Sequence, residues 1–309
     1  MKKVTALAKN WYESITEPFE LIKDNFGSLV GYEVVFRILA FLVLFPIISW
    51  AEKLWLVGNK TNVIAWYNIG SFIKNPFSWI VLIFMIAVLT WGTMVEQFAL
   101  FDTLYASKYG IKRSVMQMTE AGFSQCFKRY KGVNWLFIPY AILVLRFGTV
   151  TGDISSVISG IEIPGFILED FTKRPWEGAI FACFQLIAIY LYIRWIYAVP
   201  VMVEENETSF RAACRKSAAM TKGKHTIKVG LLLLEWSLLI VFFYYAGTTV
   251  IIAEWYLLSL WLLRGAVQPF KAFFAARFVP VSLLFYIGIL WIATPIFFSA
   301  FQCAYCRRK

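Results

Sequence analysis

The chain has 309 residues, of which 60% are hydrophobic and 16% are charged, and its formal net charge is +11. Soluble domains are only about 45–50% apolar, so the composition excludes an ordinary soluble enzyme or binding module. By the span assignment given below, 19 of the 30 Lys and Arg residues fall in segments on one side of a membrane. That bias is the positive-inside asymmetry of a membrane protein, and it argues against a nucleic-acid partner. We therefore expect a single integral membrane domain over residues 1–309.

The first 30 residues predict an amphipathic helix, because large apolar side chains recur there at spacings of three and four residues. These side chains are Trp11, Ile15, Phe19, Ile22 and Phe26. We expect the helix to lie in the headgroup plane with its aromatic face buried. An ordinary solvated helix that leads into the first span is the alternative. No cleavable signal peptide is expected, since the segment has no apolar run of its own.

Six apolar runs follow, five of them long enough to cross about 30 Å of hydrocarbon and the sixth nearly so. They predict an all-α, polytopic membrane bundle of six transmembrane helices with amphipathic interfacial helices. The expected spans are about 34–56, 76–104, 135–151, 176–203, 229–252 and 281–303. Because the number of spans is even, we expect both termini on the cytoplasmic, more basic side of a bacterial cell membrane. A kink is expected at Pro46, where neighbouring helices can tolerate it.

Two segments between the spans have a less regular pattern. Residues 163–171 predict a short helix on the outer surface, which the chain enters through Pro164 in its first turn. Residues 254–280 are largely apolar but are broken by charges and by Pro269, which favours an interfacial or re-entrant hairpin. A seventh span is the alternative for this segment.

Two basic segments on the expected cytoplasmic side, 106–134 and 204–228, have a similar plan. Each has a serine suited to cap a helix, Ser114 or Ser209, followed by a small or apolar face at matching spacing. The match suggests two repeated units in the same orientation. The candidate membrane-surface residues here are Lys112, Arg113, Arg211, Arg215 and Lys216. They are either ordinary positive-inside charges or contacts to an anionic leaflet, where each adds roughly 1 kcal/mol of attraction.

Four charges inside the expected spans are the candidate ligand-binding residues, namely Glu96, Arg146, Arg194 and Glu235. A charge in hydrocarbon costs a few kcal/mol unless it is paired or hydrated, so these side chains should face the bundle interior. Three interpretations are open. The arginines pair with the carboxylates and close the bundle, or they grip a phosphate bidentately in a cavity, or the carboxylates form a path for protons or ions.

Residues suited to hydrolytic or metal chemistry are scarce. The single histidine, His225, lies between Lys224 and Thr226 in a basic segment, where a solvated side chain is expected. No motif of a zinc protease, an α/β-hydrolase or a P-loop is present. Cys303 and Cys306 resemble half of a zinc site, but no second pair accompanies them. We therefore expect no catalytic residue, no metal and no cofactor.

The segment from Ala198 to Lys224 carries a recognisable pattern. It has an apolar-Pro step at the end of a span, an acidic turn, Ser-Phe-x-x-Ala/Cys with a following Ser, and a Thr-Lys-Gly exit. Together with IPGFILEDF at 163–171 and the order of the spans, it resembles the membrane domain found ahead of bacterial glycerophosphoryl diester phosphodiesterases. The resemblance covers roughly Lys9 to Phe301.

In those proteins a TIM-barrel domain follows the membrane domain and hydrolyses glycerophosphodiesters with a divalent metal. The barrel needs two histidines, metal-binding carboxylates and about 250 residues, whereas this chain has one histidine and ends at Lys309. The resemblance therefore implies a membrane architecture and a lipid context, without a catalytic residue. We expect a non-enzymatic protein in a bilayer with anionic lipids, which binds or moves an amphipathic phosphate-bearing lipid or serves as the membrane partner of another protein. A small secondary transporter that uses the intramembrane carboxylates is the alternative.

Overall fold

The computed structural model describes residues 13, 16–61, 69–130, 136–147, 175–262 and 269–309. These residues are helical apart from short turns and contain no strand, as predicted for an all-α protein. A short helix at 16–22 (α1) comes first. The elements that follow are α2 (Phe26–Leu39), a π-helical turn (Ala40–Leu44), α3 (Phe45–Gly58), α4 (Ile69–Lys74), α5 (Pro76–Lys108), α6 (Val115–Tyr130), α7 (Phe137–Phe147), α8 (Pro175–Trp195), α9 (Ala198–Glu204), α10 (Phe210–Met220), α11 (Lys224–Leu262) and α12 (Phe270–Arg308).

Four helical stretches of the described part are long and apolar enough to cross a membrane. They are Phe26–Gly58, Pro76–Lys108, Ala182–Glu204 and Lys224–Leu260. They coincide with the first, second, fourth and fifth predicted spans. Large apolar side chains point outward from them, including Phe41, Phe184 and Phe242 at 61%, 67% and 63% exposure, as a lipid-facing surface requires. The protein is therefore a helical membrane protein.

The other two predicted spans stay predictions. The third is described only as α7, because residues 148–174 lie outside the described part of the chain, and the helix predicted at 163–171 lies there too. The sixth lies within α12, where several side chains between 279 and 291 are outside the described set.

The irregularity predicted at Pro46 takes the form of a π-helical turn. Proline has no N–H to donate to the carbonyl of Leu42, so the α-helical ladder cannot continue unchanged through this position. The helix changes to the wider π-helical form over Ala40–Leu44, and the α-helix begins again at Phe45. Residues 26–58 consequently form one continuous span of 33 residues.

α11 and α12 form an antiparallel pair of helices, each of 39 residues and about 58 Å long at 1.5 Å per residue. The segment at 254–280, for which we predicted an interfacial or re-entrant hairpin with a seventh span as the alternative, contributes residues 254–262 to α11 and 270–280 to α12 in the described part of the chain. Its position relative to the bilayer stays a prediction. Aromatic packing holds the two helices together there, with the Tyr256 ring 5.1 Å from that of Phe270 and 5.2 Å from that of Phe273. Pro269 is accommodated just before the first turn of α12.

Both terminal segments lie at one end of the bundle, which we call the basic end. Arg307 Nε donates to a carboxylate oxygen of Glu17 at 2.8 Å, which ties the C-terminus to α1. Lys108 at the end of α5 and Lys309 each place Nζ 3.2 Å from Glu204 Oε1. α1 and the C-terminal end of α12 therefore lie at the same end of the bundle.

The predicted N-terminal helix ends earlier than residue 30. The chain turns at 23–25, where Asn25 Nδ2 donates to Ser107 Oγ at 2.8 Å. Residues 26–30 consequently belong to α2. Ile22 is 1% exposed and packs in the core, and the Phe19 ring lies 6.4 Å from that of Trp236. This part of the helix packs on the bundle, whereas Trp11 and Ile15 lie outside the described residues.

The two basic segments fold alike, and both predicted caps are confirmed. Ser114 Oγ accepts from Gln117 N at 3.3 Å while Gln117 Oε1 accepts from Ser114 N at 2.9 Å, which is a capping box. Ser209 Oγ accepts from Ala212 N at 3.4 Å. The small faces that follow, Met118 and Gly122 on α6 and Ala213 and Ser217 on α10, are buried. Both amphipathic helices therefore pack their small face on the spans.

Candidate functional site

A cluster of charged side chains is buried where α2, α5 and α12 meet. Arg37 Nη2 donates to Glu33 Oε2 at 2.9 Å and to Thr294 Oγ1 at 3.0 Å, and it lies 4.0 Å from Glu96 Oε1. Glu33 and Glu96 are 0% and 1% exposed. Buried charges need partners of opposite sign, so the cluster fixes three helices to one another.

Among the described residues, Glu96 has Arg37 as a partner, which the sequence analysis did not name. The predicted pairing of Glu96 with Arg146 stays a prediction, because the Arg146 side chain lies outside the described set. Glu33 and Arg37 lie one helical turn apart, so α2 presents a preformed pair to α5. In the sequence, this spacing of four residues between opposite charges at the start of an apolar run indicates such a pair.

Arg194 lies at the junction of α8 and α10. Its Nη1 donates to Thr221 Oγ1 at 3.4 Å, and its carbonyl accepts from Ser217 Oγ at 2.8 Å. The guanidinium also lies 6.0 Å from the centroid of the Tyr190 ring. No carboxylate is within ion-pair distance of Arg194 in the described part, so its predicted pairing with Glu96 or Glu235 is wrong.

The other two predicted charges are Arg146 and Glu235. Arg146 belongs to α7, but its side chain lies outside the described set, so its convergence with Arg194 stays a prediction. Glu235 is half-buried in α11, and its Oε1 is buried with no hydrogen bond among the residues that the structure describes.

The five predicted membrane-surface cations divide into paired and unpaired side chains. Lys112 lies 3.9 Å from Asp24, and Arg113 lies 3.3 Å from Asp102. Arg211 and Arg215 are exposed on α10 and have no ion pair within the described ranges. They are the members best placed to meet an anionic surface.

Lys216, the fifth of these cations, is bound to the acidic turn after α9. Its Nζ lies 2.7 Å from Glu205 Oε2 and 3.5 Å from Glu207 Oε2. The hydrogen bond from Lys216 is the main reason that the pKa of Glu205 is lowered. The turn is therefore held to α10 by a charged contact at the basic end.

Arg129 is a buried cation that the sequence analysis did not single out. It is 2% exposed, its Nη2 donates to the carbonyl of Met202 at 2.7 Å, and its guanidinium lies 5.0 Å from the Phe98 ring. Burial lowers its pKa. In the sequence, Arg129 follows Met118, Gly122 and Cys126 at helical spacing, which predicts that all four side chains lie on the same face of α6. Arg129 ties α6 to the end of α9.

A cavity of about 300 Å³ opens at the basic end, between the start of α11 and the end of α12. We call it the basic cavity. Its apolar wall consists of Val229, Leu232, Ala300 and Ala304, its rim carries His225, Lys228, Arg307 and Arg308, and Tyr197, Met220 and Cys303 complete the lining. This volume is at the lower end of the range of small-molecule sites, about 300–1,000 Å³.

The rim cations are held in different ways. Arg308 Nε donates to the carbonyl of Met220 at 3.1 Å, which fixes its guanidinium at the rim. Arg307 is engaged by Glu17. Lys228 and Arg308 are both close enough to act electrostatically on His225. His225 is partly exposed and lines the cavity.

The cavity could not be predicted from local patterns, because residues that are far apart in the chain form its two sides. Ala300 and Ala304 lie one turn apart on α12, and their small side chains leave the space opposite Val229 and Leu232.

Comparison with known proteins gives a family and no individual relative. No curated protein and no solved structure matches the chain. A family model described as the membrane domain of glycerophosphoryl diester phosphodiesterase matches residues 15–306, which is nearly the whole chain and includes the helices that form the charge cluster and the basic cavity. This match confirms the resemblance seen in the segment from Ala198 to Lys224, and the protein belongs to the family of glycerophosphoryl diester phosphodiesterase membrane domains.

Proposed function

We propose that this domain is a non-enzymatic, multi-pass protein of the bacterial cell membrane that binds an amphipathic, phosphate-bearing lipid at the basic cavity. The observation that carries the proposal is the division of the cavity lining into a cationic rim and an apolar wall. A phospholipid has the same division, with an anionic headgroup and apolar chains. Basic pockets between transmembrane helices on the cytoplasmic side are a recognised class of headgroup site.

The proposed orientation puts the basic end in the cytoplasm. The excess of Lys and Arg in the segments at this end supports it, since cytoplasmic loops carry that excess. Anionic lipids of the inner leaflet would then meet the exposed Arg211 and Arg215 on α10. These two side chains would attract such lipids towards the membrane surface beside the cavity, each by roughly 1 kcal/mol.

The contacts of the buried charges support binding over secondary transport. A transport path would need carboxylates that can exchange protons or ions, whereas Glu96 lies beside the guanidinium of Arg37 in a cluster that joins three helices. Breaking a buried ion pair by removal of one partner typically costs about 3–5 kcal/mol, so such a cluster favours fixed packing.

The lining of the cavity also supports a role without catalysis. Its described residues include one histidine and several cations but no carboxylate that could hold a divalent metal or act as a general base. The nearest acidic group among the contacts of the rim is Glu17, and it is engaged by Arg307.

The lipid that copurifies with the protein tests this proposal. The full chain is extracted in a mild detergent, and bound lipid is identified by native mass spectrometry against the lipid composition of the source membrane. We expect anionic phospholipid to be enriched in the protein fraction. Lys228→Gln at the rim should lose this enrichment, and Lys74→Gln, an equal charge change at an exposed site away from the cavity, should keep it. Retained lipid with the bulk composition of the membrane would contradict the proposal.

A further inference from the structure

We infer that the basic cavity prefers a phosphomonoester headgroup, which has a single organic substituent, over a phosphodiester. The inference rests on the proposed function and names the class of ligand within it. It starts from the cations of the rim. Lys228 and Arg308 line the cavity without a carboxylate partner among the described residues, Arg307 is bound to Glu17, and His225 adds an imidazole that can donate a hydrogen bond.

The charge of this rim fits a dianion better than a monoanion. A phosphomonoester carries about −1.5 to −2 charges near pH 7 and presents three terminal oxygens. A phosphodiester carries one negative charge on two such oxygens. Because Coulomb energy is proportional to charge, each rim cation attracts a dianion about twice as strongly at the same distance. The first turn of α11, which begins at Lys224, adds the positive end of a helix dipole.

The shape of the cavity points the same way. Val229 and Leu232 of α11, with Ala300 and Ala304 of α12, form the apolar part of the lining, along which a substituent can extend. The one substituent of a phosphomonoester can follow this wall. The second substituent of a phosphodiester has to leave across the rim, where it competes for space with the cations that bind the phosphate.

The test compares two lipids with the same acyl chains. The full-length protein is placed in nanodiscs of dioleoylphosphatidylcholine with an equal mole fraction of dioleoylphosphatidic acid or dioleoylphosphatidylglycerol, then extracted, and the lipid retained per protein is measured by mass spectrometry. We expect about fivefold more phosphatidic acid than phosphatidylglycerol to be retained, as one further charge interaction provides.

Variants locate the effect at the cavity. Lys228→Gln should reduce the retention of phosphatidic acid to nearly that of phosphatidylglycerol, and Lys74→Gln, an equal charge change at an exposed site far from the basic end, should leave it unchanged. Ala304→Leu fills the cavity while keeping every rim charge, so it should reduce the retention of both lipids. Equal loss in Lys228→Gln and Lys74→Gln would show a general surface effect and overturn the inference.

The remaining outcomes separate the inference from the proposed function. Equal retention of both lipids, reduced in Ala304→Leu, would overturn the phosphomonoester preference and leave lipid binding in place. Retention of neither lipid would overturn the proposed function itself. Glycerol 3-phosphate at millimolar concentration should not displace phosphatidic acid, because it has no chain to pack against Leu232. Full displacement would show that the ligand is a soluble phosphomonoester and would overturn the lipid source.

Discussion

Replacement of Arg37 by methionine tests the buried charge cluster most sharply, because it removes the cation and keeps much of the side-chain volume. Arg37 Nη2 lies 2.9 Å from Glu33 and 4.0 Å from Glu96. At an effective dielectric constant of about 20, these contacts are worth roughly 6 and 4 kcal/mol of gross attraction, most of which offsets desolvation of the three charges. Removal of one partner from such a cluster typically costs about 3–5 kcal/mol, and we expect a loss of stability in that range.

The assay is reversible unfolding in mixed micelles with increasing sodium dodecyl sulfate, followed by the fluorescence of the 13 tryptophans. Glu33→Gln combined with Arg37→Met should recover part of the loss, because one uncompensated carboxylate has been removed, with a coupling energy of about 0.5–3 kcal/mol. Arg215→Met, the same change on the exposed face of α10, is the matched control. Equal stability of Arg37→Met and Arg215→Met would refute the reasoning.

Four further predictions concern packing, pH, topology and activity. Gly122→Ala should cost about 1–3 kcal/mol, because its Cβ would lie 2.7 Å from the carbonyl oxygen of Val95, whereas Gly27→Ala, with nothing within 4 Å, should be nearly neutral in the same unfolding assay. Lys216 lowers the pKa of Glu205, so the stabilisation from this pair is present above the unfolded pKa of about 4.3 and is lost as the pH falls through the lower folded value. The stability difference between wild type and Glu205→Gln should therefore be constant from about pH 7 to 5 and shrink below about pH 4, and a difference that persists at pH 3 would show another cause. Reporter fusions after Gly132 and Lys222 should read cytoplasmic and one after Glu162 exterior, and an exterior signal at Lys222 would overturn the orientation. Purified protein with calcium or magnesium should release no glycerol phosphate from glycerophosphodiesters, and turnover that disappears in His225→Ala would show catalysis at the cavity.

Length and hydropathy were sufficient to predict the parts of the fold that depend on the bilayer alone. The spans that contain Leu89 or Leu238 follow from runs of apolar residues, and the caps Ser114 and Ser209 follow from local hydrogen bonding. Such features are decided within a few turns of helix. The packing of α11 on α12 could not be predicted in the same way, because it depends on aromatic contacts across the pair, such as that of Tyr256 with Phe273.

The candidate sites depend on residues that tertiary packing brings together. Arg37 meets Glu96 and Thr294 from helices that are far apart in the chain, and only its contact with Glu33 has a local spacing. The basic cavity likewise joins Lys228 to Arg308. From the sequence alone, charged residues can be ranked only by how deep they lie in an apolar run. This ranking selects Arg194, whose partners in the structure are Thr221 and backbone groups. It does not select the side chains of the rim.

Photo-crosslinking tests most directly whether the basic cavity binds a phosphate-bearing lipid. The full-length protein is reconstituted with a trace of phosphatidic acid that carries a diazirine close to the headgroup, and the labelled residues are mapped by peptide mass spectrometry. We expect adducts on the cavity wall at Leu232, Cys303 and Ala304, and we expect them to disappear in Ala304→Leu, which leaves the surface charge unchanged. Adducts confined to lipid-facing positions such as Leu238 and Phe242, and unchanged in Ala304→Leu, would contradict the account.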